Sequence, residues 1–243
     1  MVWQLYQKLT EVIWATHAEA GMLGGGHDPD HAIRVAQMAL NIAPDENTAR
    51  LAAAAGLCHN ADRVLQKKMG IGRREVPENK VRGLVCGWLE REPTGTFSVL
   101  EFVTIVDAVV KHDGRNNESD HPILVTLMDA DRLVNAEPDL IMRSGAHYSD
   151  LPAVDLVHLE ADPDANYRDP KSILRDVMET IVWLTPGTDF YVRLPKAQEI
   201  AARRKAFFDN FLASLKECLK ETGFYPYPSE LLALREKYAE VKV

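Results

Sequence analysis

Apolar residues recur at helical spacing along nearly the whole chain, and Val, Ile and Thr rarely alternate with polar residues as they would on a half-buried strand. The pattern predicts helices over 3–20, 29–43, 46–69, 77–91, 97–112, 119–136, 170–184, 195–222 and 228–241. Their ends are punctuated. Gly24-Gly25-Gly26 closes the first, and Asp28-Pro29 supplies a cap followed by proline at the first helical position of the second. Ala43-Pro44-Asp45 and Glu92-Pro93-Thr94-Gly95 mark further breaks. From 137 to 170 the periodicity fades, and Pro138, Pro152, Pro163 and Pro170 interrupt it, which predicts a long functional loop or lid. With no internal repeat, the simplest reading is one all-α domain over 1–243.

Polar residues interrupt three of the apolar stripes. His31 shares a helical face with Val35, Met38 and Ile42. His59 and Asp62 share one with Leu51, Ala55 and Cys58, and Asp131 shares one with Leu124, Leu127 and Met128. Burying an unpaired amide-like group costs about 2–7 kcal/mol, and a bare carboxylate costs more. Three such helices must satisfy these groups with one another or with a cation. Two imidazoles and a carboxylate form a mixed N/O set suited to a divalent metal, without the thiolates of a structural zinc site. Taken singly, each residue also fits a hydrogen-bonded core position.

Composition narrows the classes. The 243 residues are 46% hydrophobic and 26% charged, with a net charge of −8, and Lys and Arg are scattered. No basic stripe suggests a nucleic-acid partner. No apolar run approaches a membrane span, and the first residues lack a secretory-signal pattern. Cys58, Cys86 and Cys218 are too few and too widely spaced for a disulfide framework or zinc knuckle. A cytoplasmic location is the expectation.

His27-Asp28-Pro29-Asp30-His31-Ala32-Ile33-Arg34-Val35-Ala36 resembles the opening motif of the HD-domain metal-dependent phosphohydrolases. Leu57-Cys58-His59-Asn60-Ala61-Asp62-Arg63 resembles their central His-Asp motif, and Asp129-Ala130-Asp131-Arg132-Leu133 their closing motif. The resemblance covers about residues 20–140 and implies an HD-type helical bundle, followed here by additional C-terminal helices over 170–243. It implies a divalent ion (Mn, Mg, Fe, Co, Ni or Zn) held by His31, His59 and Asp131. The family's central aspartate falls on Asn60, which keeps a carbonyl oxygen but brings no charge. His27 is the alternative for the first ligand, or a residue behind or capping it.

The implied reaction is hydrolysis of a nucleotide or other small phosphorylated compound by a metal-activated water. Asp62 is the candidate to orient that water, although relatives carry the acid one position later, where this chain has Arg63. Arg34, Arg63 and Arg132 are candidates for phosphate oxygens, Lys111 for substrate contact, and His112 for lining the site. Each has a plainer reading as a solvated or salt-bridged residue, or, for His112, as a cation at a helix end. A di-iron oxygenase of the same superfamily would need more histidines than His112 and His121 between the central and closing motifs. Asn60 also fits a catalytically silent metabolite-binding or interaction module.

Overall fold

The computed structural model describes residues 1–24 and 26–239 and is all-α. Its helices are α1 (Val2–Leu5), α2 (Gln7–Glu19), α3 (Pro29–Ile42), α4 (Glu46–Cys58), α5 (Ala61–Met69) and α6 (Glu78–Leu89). They continue as α7 (Val99–Lys111), α8 (Pro122–Asn135), α9 (Leu140–His147), α10 (Ile173–Ile181), α11 (Pro195–Glu221) and α12 (Ser229–Ala239). Short 3-10 turns occupy Arg73–Glu75 and Val182–Leu184. Asn166 and Asp169 form an isolated bridge. No helix among the described residues is long and apolar enough to cross a membrane.

Three predicted elements differ. The first helix breaks at Tyr6, which separates α1 from α2. The stretch 137–170 holds α9, while the rest of it is irregular. The predicted helix 46–69 breaks at His59-Asn60, so Asp62 belongs to a new helix and the shared-stripe argument for His59 and Asp62 does not hold. The break has a local cause. His59 turns its ring Nδ1 back onto the Gly56 carbonyl at 2.7 Å, competing with the helix ladder, and α5 starts after Asn60, which makes no side-chain capping bond. Residues 240 and 241 of the last predicted helix, and Gly25 of the glycine run, lie outside the described residues.

The backbone contacts divide the chain into two compact units, Met1–Glu137 with Trp183–Ala201, and Pro138–Val182 with Ala202–Val243. In the first, α3 packs on α4, α8 lies against both, and α7 flanks α4 and α8. Caps set where each helix begins. The Asp28 carboxylate accepts the His31 amide at 2.9 Å at the start of α3, and Asp45 accepts the Thr48 amide at 2.9 Å at the start of α4. Ser98 and Glu101 form a reciprocal capping box on α7. Buried Asp129 on α8 accepts the backbone amides of Arg193 at 2.7 Å and Leu194 at 2.8 Å, anchoring the segment that leads into α11.

The seam between α3 and α4 is built of small residues. Ala32, Ala36 and Ala39 on one helix, and Ala52, Ala55 and Gly56 on the other, are all buried. A Cβ at Gly56 would lie 2.8 Å from the Ala36 Cα and 2.9 Å from its nitrogen. The obstacle is backbone, which cannot rotate aside.

In the second unit α9 packs on α10. The buried Ser144 hydroxyl donates to Asp176 at 2.6 Å across that pair. The irregular segment is tied down by Ile173 and Leu174 amides donating to the Pro152 and Ala153 carbonyls, and by Lys216 and Tyr225 converging on Glu160.

Two predictions follow from this packing. Replacing a helical glycine by alanine ordinarily stabilises by up to about 1 kcal/mol, and Gly83 of α6, with nothing within 4 Å of an added Cβ, should behave so. Gly56→Ala should instead lose about 1–3 kcal/mol through overpacking. Urea unfolding of the two variants checks the opposite signs.

His17 of α2 is fully buried, with Nδ1 on the Ile13 carbonyl at 2.8 Å, its ring 6.3 Å from Trp88, and Nε2 without a partner. Burial pushes its pKa down, outweighing the pull of the Ile13 carbonyl and Asp28 in the other direction. The unfolded chain therefore takes up this proton first. The contribution is complete above about pH 6.5 and is lost as pH falls below it. Wild-type urea midpoints should drop more steeply between pH 7.5 and 5 than those of His17→Phe.

Candidate metal centre

His31, His59 and Asp131, from α3, the end of α4 and α8, converge in the first unit, each offering a ligand atom within 4.8 Å of the others. Capping places the first, since Asp28 binds the His31 amide. The α3–α4 seam places the second, bringing the His31 and His59 rings to 5.2 Å between centroids. His31 and His59 are 4% and 2% exposed, and the Asp131 side chain is 18% exposed. Asp131 Oδ1 lies 3.3 Å from His31 Nε2 and 3.6 Å from His59 Nε2, and accepts the Asn135 amide at 2.8 Å.

The protonation pattern suits a ligand set. His59 donates Nδ1–H to the Gly56 carbonyl, which leaves Nε2 as the bare lone pair facing Asp131, buried and without a hydrogen-bond partner. Burial drives its pKa down to about 3, so the ring is neutral near pH 7. Burial works to raise the Asp131 carboxyl, but the hydrogen bond from His31 and the neighbouring imidazoles outweigh it and hold the group far below the usual carboxylate range. The neutral His59 ring, His31 and the Asp131 carboxylate therefore bring three ligand atoms together, one of them a buried nitrogen without a partner. These residues fit a divalent ion.

Asn60 sits beside this set, 2% exposed, at the N-cap of α5. Its side chain makes no capping bond, and its Nδ2 is buried without a partner. Capping does not explain that amide, although it is the usual reason for asparagine at a helix start.

The other sequence-derived candidates take varied positions. His112 is buried, with Nδ1 on the Val109 carbonyl at 2.6 Å and its ring 5.4 Å from that of His59. His27 continues the row of imidazoles, 5.7 Å from His31, with a buried, unpartnered Nδ1. Burial and the nearby Arg63 charge push its pKa down to about 3. Asp62 accepts the Arg73 guanidinium at 2.7 Å. Burial raises its carboxyl, yet Arg73 outweighs that and lowers it overall. Arg73 also pairs with Asp113, next to His112. Arg34 pairs with Glu137, and Arg63 lies 3.4 Å from Gln66. Arg132 is buried and directed into the scaffold, donating to Asn116 at 2.6 Å and to the Gly114 carbonyl at 3.1 Å, with Phe190 beneath it. Lys111 is exposed and lines a separate surface cavity of about 400 Å³ with Asp107, Asn117, Asp120 and His121.

Sequence reading missed Asn135, Arg73 and Asp113. Asn135 carried a usable signal, standing four residues after Asp131 on the same helix face. Arg73 carried none, because it reaches Asp62 from a turn eleven residues away. Compared with protein-family models, curated proteins and solved structures, the chain matches none.

The tautomer is directly measurable. Long-range proton–nitrogen NMR spectra should show His59 neutral and protonated on Nδ1 from pH 8 down to 5. A titration midpoint near 6.5 would contradict the burial argument.

Proposed function

We propose that the chain is a metal-dependent phosphohydrolase acting on a nucleotide or another small phosphorylated compound. The observation that supports it most is the unpartnered His59 Nε2, buried within ligand distance of His31 and Asp131. An unsatisfied nitrogen in that setting is costly unless a further group completes the site. The resemblance of the three motifs to HD-domain enzymes points to the same three residues.

A divalent ion held by this set would lower the pKa of a coordinated water and offset charge on phosphoryl oxygens. The protein's own part follows from its residues. Asp131 is the anion of the set, and Asn135 steadies it through Oδ1. The His59 proton stays on Nδ1, locked to a backbone carbonyl, so the ring offers Nε2 without having to lose a proton. Asn60 offers a carbonyl oxygen if its amide turns the oxygen inward. Asp62, kept ionised by Arg73, is the acid available to orient water, and His112 walls the site beside His59. Phosphate binding falls to Arg34, exposed and paired with Glu137, and to half-buried Arg63 sooner than to Arg132, which is buried against Asn116 and Gly114.

Asn60 favours a second reading, a catalytically silent module that uses the same pocket to bind a metabolite or partner. With Asn60 the ligand set carries one negative charge, and an aspartate there would make two. Asn60→Asp should tighten metal binding by roughly ten- to hundredfold, the range seen when groups around a metal are altered. The test is metal analysis of protein purified without chelator, then turnover of a panel of phosphate compounds with Mn, Mg, Co and Ni. Metal bound to the native chain with phosphate release supports the enzyme. Metal binding with turnover only in Asn60→Asp supports the silent module. No metal at His31, His59 and Asp131 in either protein sinks the phosphohydrolase reading.

A further inference from the structure

A second group of ligand atoms lies in the second unit. Asp155, His158 and Asp162 fall within eight residues of the irregular segment, each offering a donor atom within 4.8 Å of the others, and all three are partly buried. This set is not just acidic, because an imidazole stands between the two carboxylates.

The three residues differ in how they are satisfied. Asp155, 13% exposed at its side chain, accepts both terminal nitrogens of Arg235 from α12, at 2.8 and 2.9 Å, and the Val157 amide at 3.0 Å. Asp162 accepts the Asp164 amide at 2.8 Å. Among the described residues no basic group is ion-paired with Asp162, and no hydrogen-bond partner is seen for the His158 ring. The neighbouring acid Glu160 is already neutralised by Lys216. The Arg235 guanidinium thus sits at one edge of the cluster, while Asp162 at the other feels only the more distant charge of Lys171, which is itself paired with Asp169.

We propose that Asp155, His158 and Asp162 form a second divalent-metal site, for which Arg235 competes. One nitrogen and two oxygens suit Mn, Co, Ni or Zn, and the imidazole disfavours Ca and Mg. Both terminal nitrogens of the guanidinium are spent on Asp155, whereas a divalent ion can take one donor atom from each of the three residues. Binding would cross-link residues 155–162 at the expense of the Asp155–Arg235 pair and loosen the hold on α12.

The test is calorimetric titration of the chelator-stripped full chain with Mn²⁺ and Zn²⁺, with circular dichroism as the folding control. The wild type should show two binding events. His158→Ala and the near-isosteric Asp162→Asn should each remove one of them, while Asp131→Asn removes the other. Arg235→Ala should tighten the His158-dependent event about tenfold. An unchanged number of events in folded His158→Ala and Asp162→Asn overturns the site. An unchanged affinity in Arg235→Ala overturns the competition. A single event that survives Asp131→Asn but is lost in His158→Ala upholds this site and counts against the first, so the two readings fail separately.

Discussion

The close approach of α3 and α4 is the constraint on which the rest of the first unit depends. Gly56 has no Cβ, and the Ala36 backbone occupies the place where one would stand. A helix pair this close carries small residues on its contact face, and the alanines of both helices meet that demand. The consequence reaches the site. His31 opens α3 and His59 ends α4, so a wider crossing would separate the imidazoles that now lie 5.2 Å apart. The Gly56 carbonyl serves the same end, since it accepts the His59 Nδ1 proton and turns Nε2 toward Asp131. One residue therefore governs both the spacing of the rings and the orientation of one of them.

Around that crossing, polar groups are sorted by what they bind. In the Asp129-Ala130-Asp131-Arg132 stretch, three charged residues on one helix face three ways. Asp129 holds the backbone at 193–194, Asp131 holds His31, and Arg132 holds the turn at 114–116. Burial drives the Asp129 pKa up to about 6, despite two amide donors, whereas the imidazoles beside Asp131 overcome the same effect. Two carboxylates two residues apart thus stand at opposite ends of the carboxylate range. Only the one facing the histidines is a dependable anion.

The site was legible where the helical period is strong. His31 and Asp131 lie on apolar stripes of helices that formed as the sequence predicts, and both reach the cluster. Asp62 was misplaced because the period was carried through His59-Asn60. There a ring nitrogen bonds the carbonyl three residues back and a new helix starts. Periodicity does not register such competition between side chain and backbone. Arg34, Arg63 and Arg132 look alike as basic residues near a motif, yet their partners differ. Only Arg132 is buried in the scaffold.

By itself, the sequence determined the all-α class, most helix positions, and the three residues that meet at the first cluster. Helical spacing and buried polar groups are local properties, written residue by residue. The tertiary structure alone decided that the helix would break at His59, that Arg73 would bind Asp62, and that Asp155, His158 and Asp162 would gather beside Arg235. Each of these depends on contacts between residues with no fixed spacing along the chain. The His59-Asn60 pair spans both levels. Its residue types were plain from the sequence, but the packing of α3 against α4 determines which nitrogen of His59 faces the carboxylate.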